Sequence, residues 1–451
     1  MPRRLSSVLL ALTLSAAAGC ANHAKPSITL YESGNYQAAA IAADEGLAAH
    51  PDDDALWGMR IRSALALGDG DAIVRAYTGY TAHRAELDKP LLKDLATATL
   101  AQALNSPSAK LELVAIEAIE DIEIQGLADA VVAILHGGYA QAGQVAGDSL
   151  RSPDAEARRI AVEGVGKKVG RPAAADLEKA ASDSDPRVRR AAVFWLGQIK
   201  DTDAVAIFAQ RIKDEDDGVR AAAARALARV GIGDLGAYGK AAAADAALPV
   251  RIAAIDLLVA AHLDSDLGKL ARDPDPILAV EASLALHDVG LARDAVQRAM
   301  ASPDGSVRAG AANYLVRALG KDAALGPARQ LAHDKELGVR LAAARVLAHA
   351  GDATEATKVF VAALGADDSR DHAAQAAADL AALGDARGAA RLTELVRDPR
   401  RTPEQRAAAA AAHRSAHRVT PGLLAALADT NAIVRVEAAA ALGALSKDRE
   451  R

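Results

Sequence analysis

From about residue 105 to the end, apolar positions return at one spacing. Val188, Ala192 and Leu196 stand four residues apart, with the polar Arg189 directly after the first. The same frame reappears as Val219-Arg220 with Ala223 and Leu227, and as Val250-Arg251 with Ala254 and Leu258. Later copies are Val307-Arg308 with Ala311 and Leu315, Val339-Arg340 with Ala343 and Leu347, and Val434-Arg435 with Ala438 and Leu442. Weaker copies fill the gaps: Ala157-Arg158 with Ala161, Leu278 with Ala282 and Leu286, His372 with Ala376 and Leu380, and Gln405-Arg406 with Ala409. Leu111, Ala115 and Ile119 offer a first copy. From Ala157 the starts step by 31, 31, 31, 28, 29, 32, 33, 33 and 29 residues.

Apolar residues at steps of four lie on one helical face. An Asp-Pro, Asp-Gly or Leu-Pro before many of the copies stops one helix and starts the next. A second apolar stripe precedes each copy, as in Val205-Ala206-Ile207-Phe208 and Ala356-Thr357-Lys358-Val359-Phe360. Each unit therefore reads as a helical hairpin. A lone hairpin cannot bury its stripe, so neighbours must stack into a solenoid. The predicted class is all-α, a right-handed α-solenoid of stacked hairpins over 105–446. Residues 120–150, with Gly137-Gly138, break the period and read as an elongated unit or a bend.

The set Asp-Pro-x-Val-Arg, then Ala, then Leu, resembles HEAT repeats, particularly the short kind of bacterial and phycobilisome-lyase-like proteins. In that family Asp and Arg form a stacked ladder between repeats. The resemblance assigns Asp185, Arg189, Arg220, Arg251, Arg308, Arg340 and Arg435 to such a ladder. The rival reading is an arginine row that binds phosphate or polyanion.

Residues 28–90 carry a different pattern. Gly34-Asn35-Tyr36, Ala39 and Pro51 resemble the second half of a tetratricopeptide repeat, Trp57 falls at the next leading aromatic, and Gly68 follows Gly34 by 34 residues. One and a half to two degenerate repeats are expected. Tyr31, Tyr36, Trp57, Tyr77 and Tyr80 cluster here, as core between small helix pairs or as a groove for an extended peptide.

Composition narrows the classes further. Of 451 residues 115 are alanine and 3% are aromatic, which favours close-packed helices over a β-sandwich or barrel. The single cysteine rules out a disulfide framework. A formal charge of −6 leaves no bulk attraction for nucleic acid.

That cysteine stands in the leader. Residues 1–20, MPRRLSSVLLALTLSAAAGC, have a basic start and an apolar run too short to span a bilayer, which fits a secretory signal. Ala17-Ala18-Gly19-Cys20 resembles the lipobox of bacterial lipoproteins. The resemblance implies cleavage before Cys20 and acylation of its thiol and new amino group, enough chains for stable anchoring. Ala21 follows the cysteine, and the lack of an Asp there points to the periplasmic face of the outer membrane rather than the inner one. The expected order is a signal over 1–19, a lipidated tether over 20–27, the helical segment 28–90 and the solenoid 105–446.

Catalytic patterns are missing: no P-loop, Rossmann fingerprint, HExxH or GxSxG occurs in the sequence. His413 and His417 lie i, i+4 and read as two solvent-exposed histidines rather than a metal pair. Asp52-Asp53-Asp54 reads as a helix start. Gly231, Gly233 and Gly236 read as a turn between repeats. The expectation is a non-enzymatic scaffold without catalytic residues, cofactor or metal, docking one or more envelope proteins on the concave solenoid face. The alternatives are a lyase- or isomerase-like protein acting on a bound ligand, and a binder of peptidoglycan or polysaccharide.

Overall fold

The computed structural model describes residues 23–104 except 83 and 85–87, pieces of 111–119, and residues 150–447 except 170 and 367–370. The leader, Cys20 and the stretch 120–149 lie outside the described residues. Among the described residues every regular element is helical, and no helix is long and apolar enough to cross a membrane. The chain divides into two compact units, one of residues 132–365 and one joining 1–131 to 366–451.

The N-terminal helices are α1 (Lys25–Glu32), α2 (Tyr36–Ala49), α3 (Asp54–Leu67), α4 (Gly70–Thr81) and α5 (Lys89–Leu104). The unit 132–365 follows with α6 (Ala155–Val169), α7 (Ala174–Ala180), α8 (Pro186–Gln198), α9 (Val205–Arg211), α10 (Asp217–Val230), α11 (Leu235–Ala243) and α12 (Leu248–Ala260). It continues through α13 (Asp264–Leu270), α14 (Pro276–Ala285), α15 (Val289–Met300), α16 (Gly305–Leu319), α17 (Lys321–Leu331), α18 (Leu337–Ala350) and α19 (Ala353–Ala363). The C-terminal segment holds α20 (His372–Ala382), α21 (Ala386–Arg397), α22 (Pro403–Ala412), α23 (Pro421–Ala426) and α24 (Ala432–Ser446).

In 132–365 the helices pair as hairpins, a short first helix and a longer second one that carries the Val-Arg frame. The punctuation is local chemistry. Asp185, Asp216, Asp275 and Asp304 cap α8, α10, α14 and α16 by accepting first-turn N–H groups, and Pro186 and Pro276 sit where a helix has no donor to lose. Gly231 closes α10 and Gly351 closes α18 in the left-handed region, at φ of 73° and 105°. Lys200, His262 and His287 turn the chain the same way at φ of 50°, 55° and 58°, against the steric preference of residues with a Cβ. Gly231 and Gly233 thus belong to a turn between hairpins, and Asp53 caps α3 by accepting from the Ala55 and Leu56 N–H groups.

The frame residues are the core. Val188, Ala192, Leu196, Val219, Ala223, Leu227, Val250, Ala254 and Leu258 are buried, Phe208 of first helix α9 packs in the same core, and Phe360 is buried on α19 beside α18. Small residues let second helices approach closely: a Cβ on Gly197 of α8 would lie 2.8 Å from the Ala226 Cβ of α10. Trp195 in turn lies over Gly166 of α6, where an added Cβ would stand 2.1 Å from the indole Cγ.

In the other unit the two ends of the chain pack together. α24 lies on α5 and on α22, and α23 lies on α4. α24 buries Val434, Val436, Leu442 and the four alanines 438–441, so it is covered on more than one face. A Cβ on Gly70, at the start of α4, would stand 2.9 Å from the Ala425 carbonyl oxygen of α23. Arg397 at the end of α21 pairs with Asp71 of α4. The N-terminal helices therefore cover the last hairpin, a contact across more than 300 residues of sequence.

Candidate functional site

The frame arginines make two kinds of bond. Each turns back on the loop before its own helix, where Nη1 donates to two consecutive carbonyl oxygens. Arg189 reaches those of Asp183 and Ser184 at 3.0 and 3.1 Å, Arg220 those of Asp214 and Glu215, and Arg251 those of Asp245 and Ala246. Arg308, Arg340 and Arg435 do the same with residues 302–303, 334–335 and 429–430.

The other half of the guanidinium crosses to the next hairpin. Arg158 pairs bidentately with Asp183, Arg189 with Asp214, Arg220 with Asp245, and Arg308 with Asp334, at 2.7 to 3.0 Å. In the other unit Arg406 grips Asp429 in the same way. Each of these carboxylates also accepts the backbone N–H two residues on, so one Asp ties the preceding arginine to the cap of its own helix. The Arg158 guanidinium holds the Asp183 carboxyl below the usual carboxylate range, as Arg220 and Arg308 do for Asp245 and Asp334. For Asp214 burial works against the charge, yet the bonds from Arg189, the Asp216 N–H and Arg211 outweigh it and its pKa is lowered as well.

The rung is thus Arg to the Asp of the following hairpin, and Asp185 is not part of it. Asp185 accepts the Arg187 N–H as the cap of α8 and pairs with the Arg187 side chain, which holds its pKa down to about 2. The assignment of Asp185 to the ladder is corrected on that geometry: Arg189 turns away from it toward Asp214. Arg190 is exposed on the same helix and stands apart from the rungs.

Among the described residues of 132–365, two steps lack a rung. Arg251 and Asp273 are 22 residues apart instead of 25, and no ion pair joins them among the described residues. At the next step Ala279 stands where the arginine would be and Ser302 where the aspartate would be. Arg298, from α15, takes up the Asp273 carbonyl at 3.0 Å. On the opposite side the Tyr314 hydroxyl donates to Glu281 at 2.7 Å, bridging α16 to α14.

On the second helices of 132–365 the position six residues after the frame's first forms a row: Phe194, Arg225, Asp256, Asn313 and Arg345 are exposed and Leu284 is half-buried, with Arg190, Arg229, Val259, Arg317 and His349 exposed on the same helices. Phe194 is 45% exposed and meets Trp195 edge-on. Arg225 Nε lies 3.8 Å from Asp256. Crowding at this row raises the Asp256 pKa through burial, with Arg225 opposing the shift and Glu281 adding to it. The row is a mixed surface of aromatic, cationic and anionic groups.

A groove of about 680 Å³ lies in the other unit, between the Gly68–Asp71 turn, the end of α21 and the turn after α23. Its charged walls are engaged with one another, Arg397 with Asp71 and Arg406 with Asp429. Among the described residues no group of three or more His, Cys, Asp or Glu could hold a metal ion. The expectation of two exposed histidines holds for His417 and is overturned for His413. His413 is fully buried in a 3-10 turn, and His417 leaves that turn in the left-handed region, so the two share no helical face. Sequence reasoning missed this because the frame was not carried past Ala409, where the next core slot is residue 413.

None of the curated proteins matches the chain in sequence. Among solved structures, the complex of CpcE and CpcF of phycocyanin lyase from Nostoc is similar at 20% identity, covering 48% of this chain and 92% of that one with a TM-score of 0.31. An engineered protein is 20% identical over 80% of this chain and 100% of its own, with a TM-score of 0.29. Human deoxyhypusine hydroxylase in complex with glycerol is 19% identical over 67% and 95%, with a TM-score of 0.28. The family model for HEAT repeats matches residues 144–228 and 174–267, the stretch that contains the first three rungs. Among the described residues the fold is all-helical, of stacked hairpins in the manner of an α-solenoid, and residues 144–267 are similar to HEAT repeats.

Proposed function

We propose that the protein is a non-enzymatic interaction scaffold, anchored by acyl chains on Cys20 to the periplasmic face of the outer membrane. In this reading the second-helix row of 132–365 docks one or more envelope proteins, and neither nucleic acid nor a cofactor takes part. The observation that carries it is the row itself: side chains at one frame position recur from hairpin to hairpin, on helices of which several are tied into the next loop by their arginines. Such an array offers many shallow contacts at fixed intervals, with Phe194 as an anchor of the type that dominates binding energy at protein interfaces. The frame arginines are engaged with carbonyls and carboxylates, which disfavours a polyanion for that row.

The docking half is tested by charge exchange. Arg225→Glu with Asp256→Lys should abolish recovery of the partner while the circular dichroism and melting temperature stay unchanged. Undiminished recovery would contradict the assignment. The anchoring half is tested separately by Cys20→Ser, which should move the protein to the soluble fraction and remove acyl labelling. A membrane-bound, labelled variant would refute it.

A further inference from the structure

His413 occupies a slot that belongs to leucine. Counting eight residues from Gln405 in the repeat frame reaches position 413, where the other copies have Val165 and then Leu196, Leu227, Leu258, Leu286, Leu315, Leu347, Leu380 and Leu442. The imidazole has no solvent exposure, and neither Nδ1 nor Nε2 has a hydrogen-bond partner among the described residues. Its turn packs against α20, α21, α22 and α24. The fit is tight on one side. A Cβ on Gly422 would lie 3.0 Å from Nε2 and 2.5 Å from the Thr393 Cα, so only glycine at 422 leaves room for the ring. The Thr393 hydroxyl donates to the Ala389 carbonyl, and its proton is not available to the imidazole.

No charge compensates a protonated ring. The ionisable groups on the packed elements include His372 and Asp379 on α20, the Arg391–Glu394 pair on α21, Arg406 clasped to Asp429 from α22, and Glu437 of α24 held by Arg414. None of them shifts the histidine, and burial alone pushes its pKa down to about 4. A buried cation without a partner is expelled or stays neutral.

We propose that His413 makes the seam between the C-terminal hairpins and the N-terminal helices acid-labile, because protonation drives the imidazole from its leucine slot and loosens α23 and α24 from α4 and α5. The elements that hold the ring are the ones that hold the seam: α24 packs on both the His413 turn and α5, and α23 carries both Gly422 and the Ala425 contact to Gly70. The inference is independent of the docking assignment.

The sign follows from linkage. The folded pKa lies below the free value of 6.5, so the unfolded or opened chain takes up the proton first. Stability is complete above about pH 7 and declines as the pH falls from 6.5 toward 4. Across that window the folding constant of this unit should drop by roughly a hundredfold on account of this one residue.

The test uses the full chain. Urea unfolding and hydrogen exchange are followed at pH 7.5 and at pH 4.5 for the natural protein and for His413→Leu, which restores the leucine of the other copies. The natural protein should lose protection first in α4, α5, α23 and α24 at pH 4.5, and the variant should keep it. Equal pH dependence in both would overturn the proposal. Should the variant fail to fold, the NMR titration of the His413 ring in the natural protein decides: a midpoint near 4 supports the proposal, and one near 6.5 overturns it.

Discussion

Arg189 of one hairpin grips Asp214 of the next through two bonds, of 2.7 and 3.0 Å, and their side chains are only 7% and 3% exposed. Asp214 also receives Arg211 at 3.0 Å. A buried pair of this kind need not add net stability over an apolar pair, but removing one partner strands the other's charge. Asp214→Ala should therefore cost about 3–5 kcal/mol in urea unfolding, whereas Asp185→Ala, which removes a cap and an exposed ion pair with Arg187, should cost about 1 kcal/mol. Similar losses for both would contradict the division of labour between the two aspartates. The lowered carboxylate pKa values add a pH signature: this stabilisation is complete above the free carboxylate value and is lost as the pH falls below it.

The missing rung at Ala279 and Ser302 can be written in. Ala279→Arg and Ser302→Asp place the two partners 23 residues apart, the spacing of Arg406 and Asp429. Each single change should destabilise, since Ala279 is fully buried and its lone cation would lack a partner. The double variant should recover about 1 kcal/mol or more of coupling in a double-mutant cycle. Strict additivity would show that the loops at this step cannot meet.

The seam between the chain's ends has a simple probe. Gly70→Ala places a methyl group 2.9 Å from the Ala425 carbonyl oxygen, which as backbone cannot rotate away. The expected cost is about 1–3 kcal/mol, with faster hydrogen exchange in α4 and α23. An unchanged unfolding midpoint would mean that the N-terminal helices do not depend on this contact.

His262 ends α12 at φ 55°, where glycine carries no Cβ penalty. His262→Gly should raise stability by about 0.5–1 kcal/mol, read as an increase in melting temperature without change in the circular dichroism spectrum. A decrease would show that the imidazole makes contacts worth more than the relief.

The hairpin array was legible because its signal is periodic: Val, Ala and Leu at fixed steps state both the helix and its buried face. The rung partner was harder to see. Asp183 and Asp185, or Asp214 and Asp216, are the same residue type two positions apart, and only three-dimensional placement shows that one clasps and the other caps. His413 was hidden differently, since two histidines at i and i+4 suggest an exposed face unless the repeat frame is counted through them. The packing of α24 on α5 has no local signature, because each helix carries ordinary apolar residues and the match lies in shape. The outward row was partly readable by subtraction, as the positions left over once frame and arginines are assigned.

The central claim is that this row docks a protein. Its most direct measurement is photo-crosslinking in intact cells, with a crosslinking amino acid placed singly at Arg225, Asp256 or Asn313 and, as controls, at exposed positions of first helices such as Lys240 and Gln297. The same discrete protein adduct is expected from all three row positions and none from the controls. Equal adducts from both faces, adducts to glycan, or no adduct from the row would contradict it.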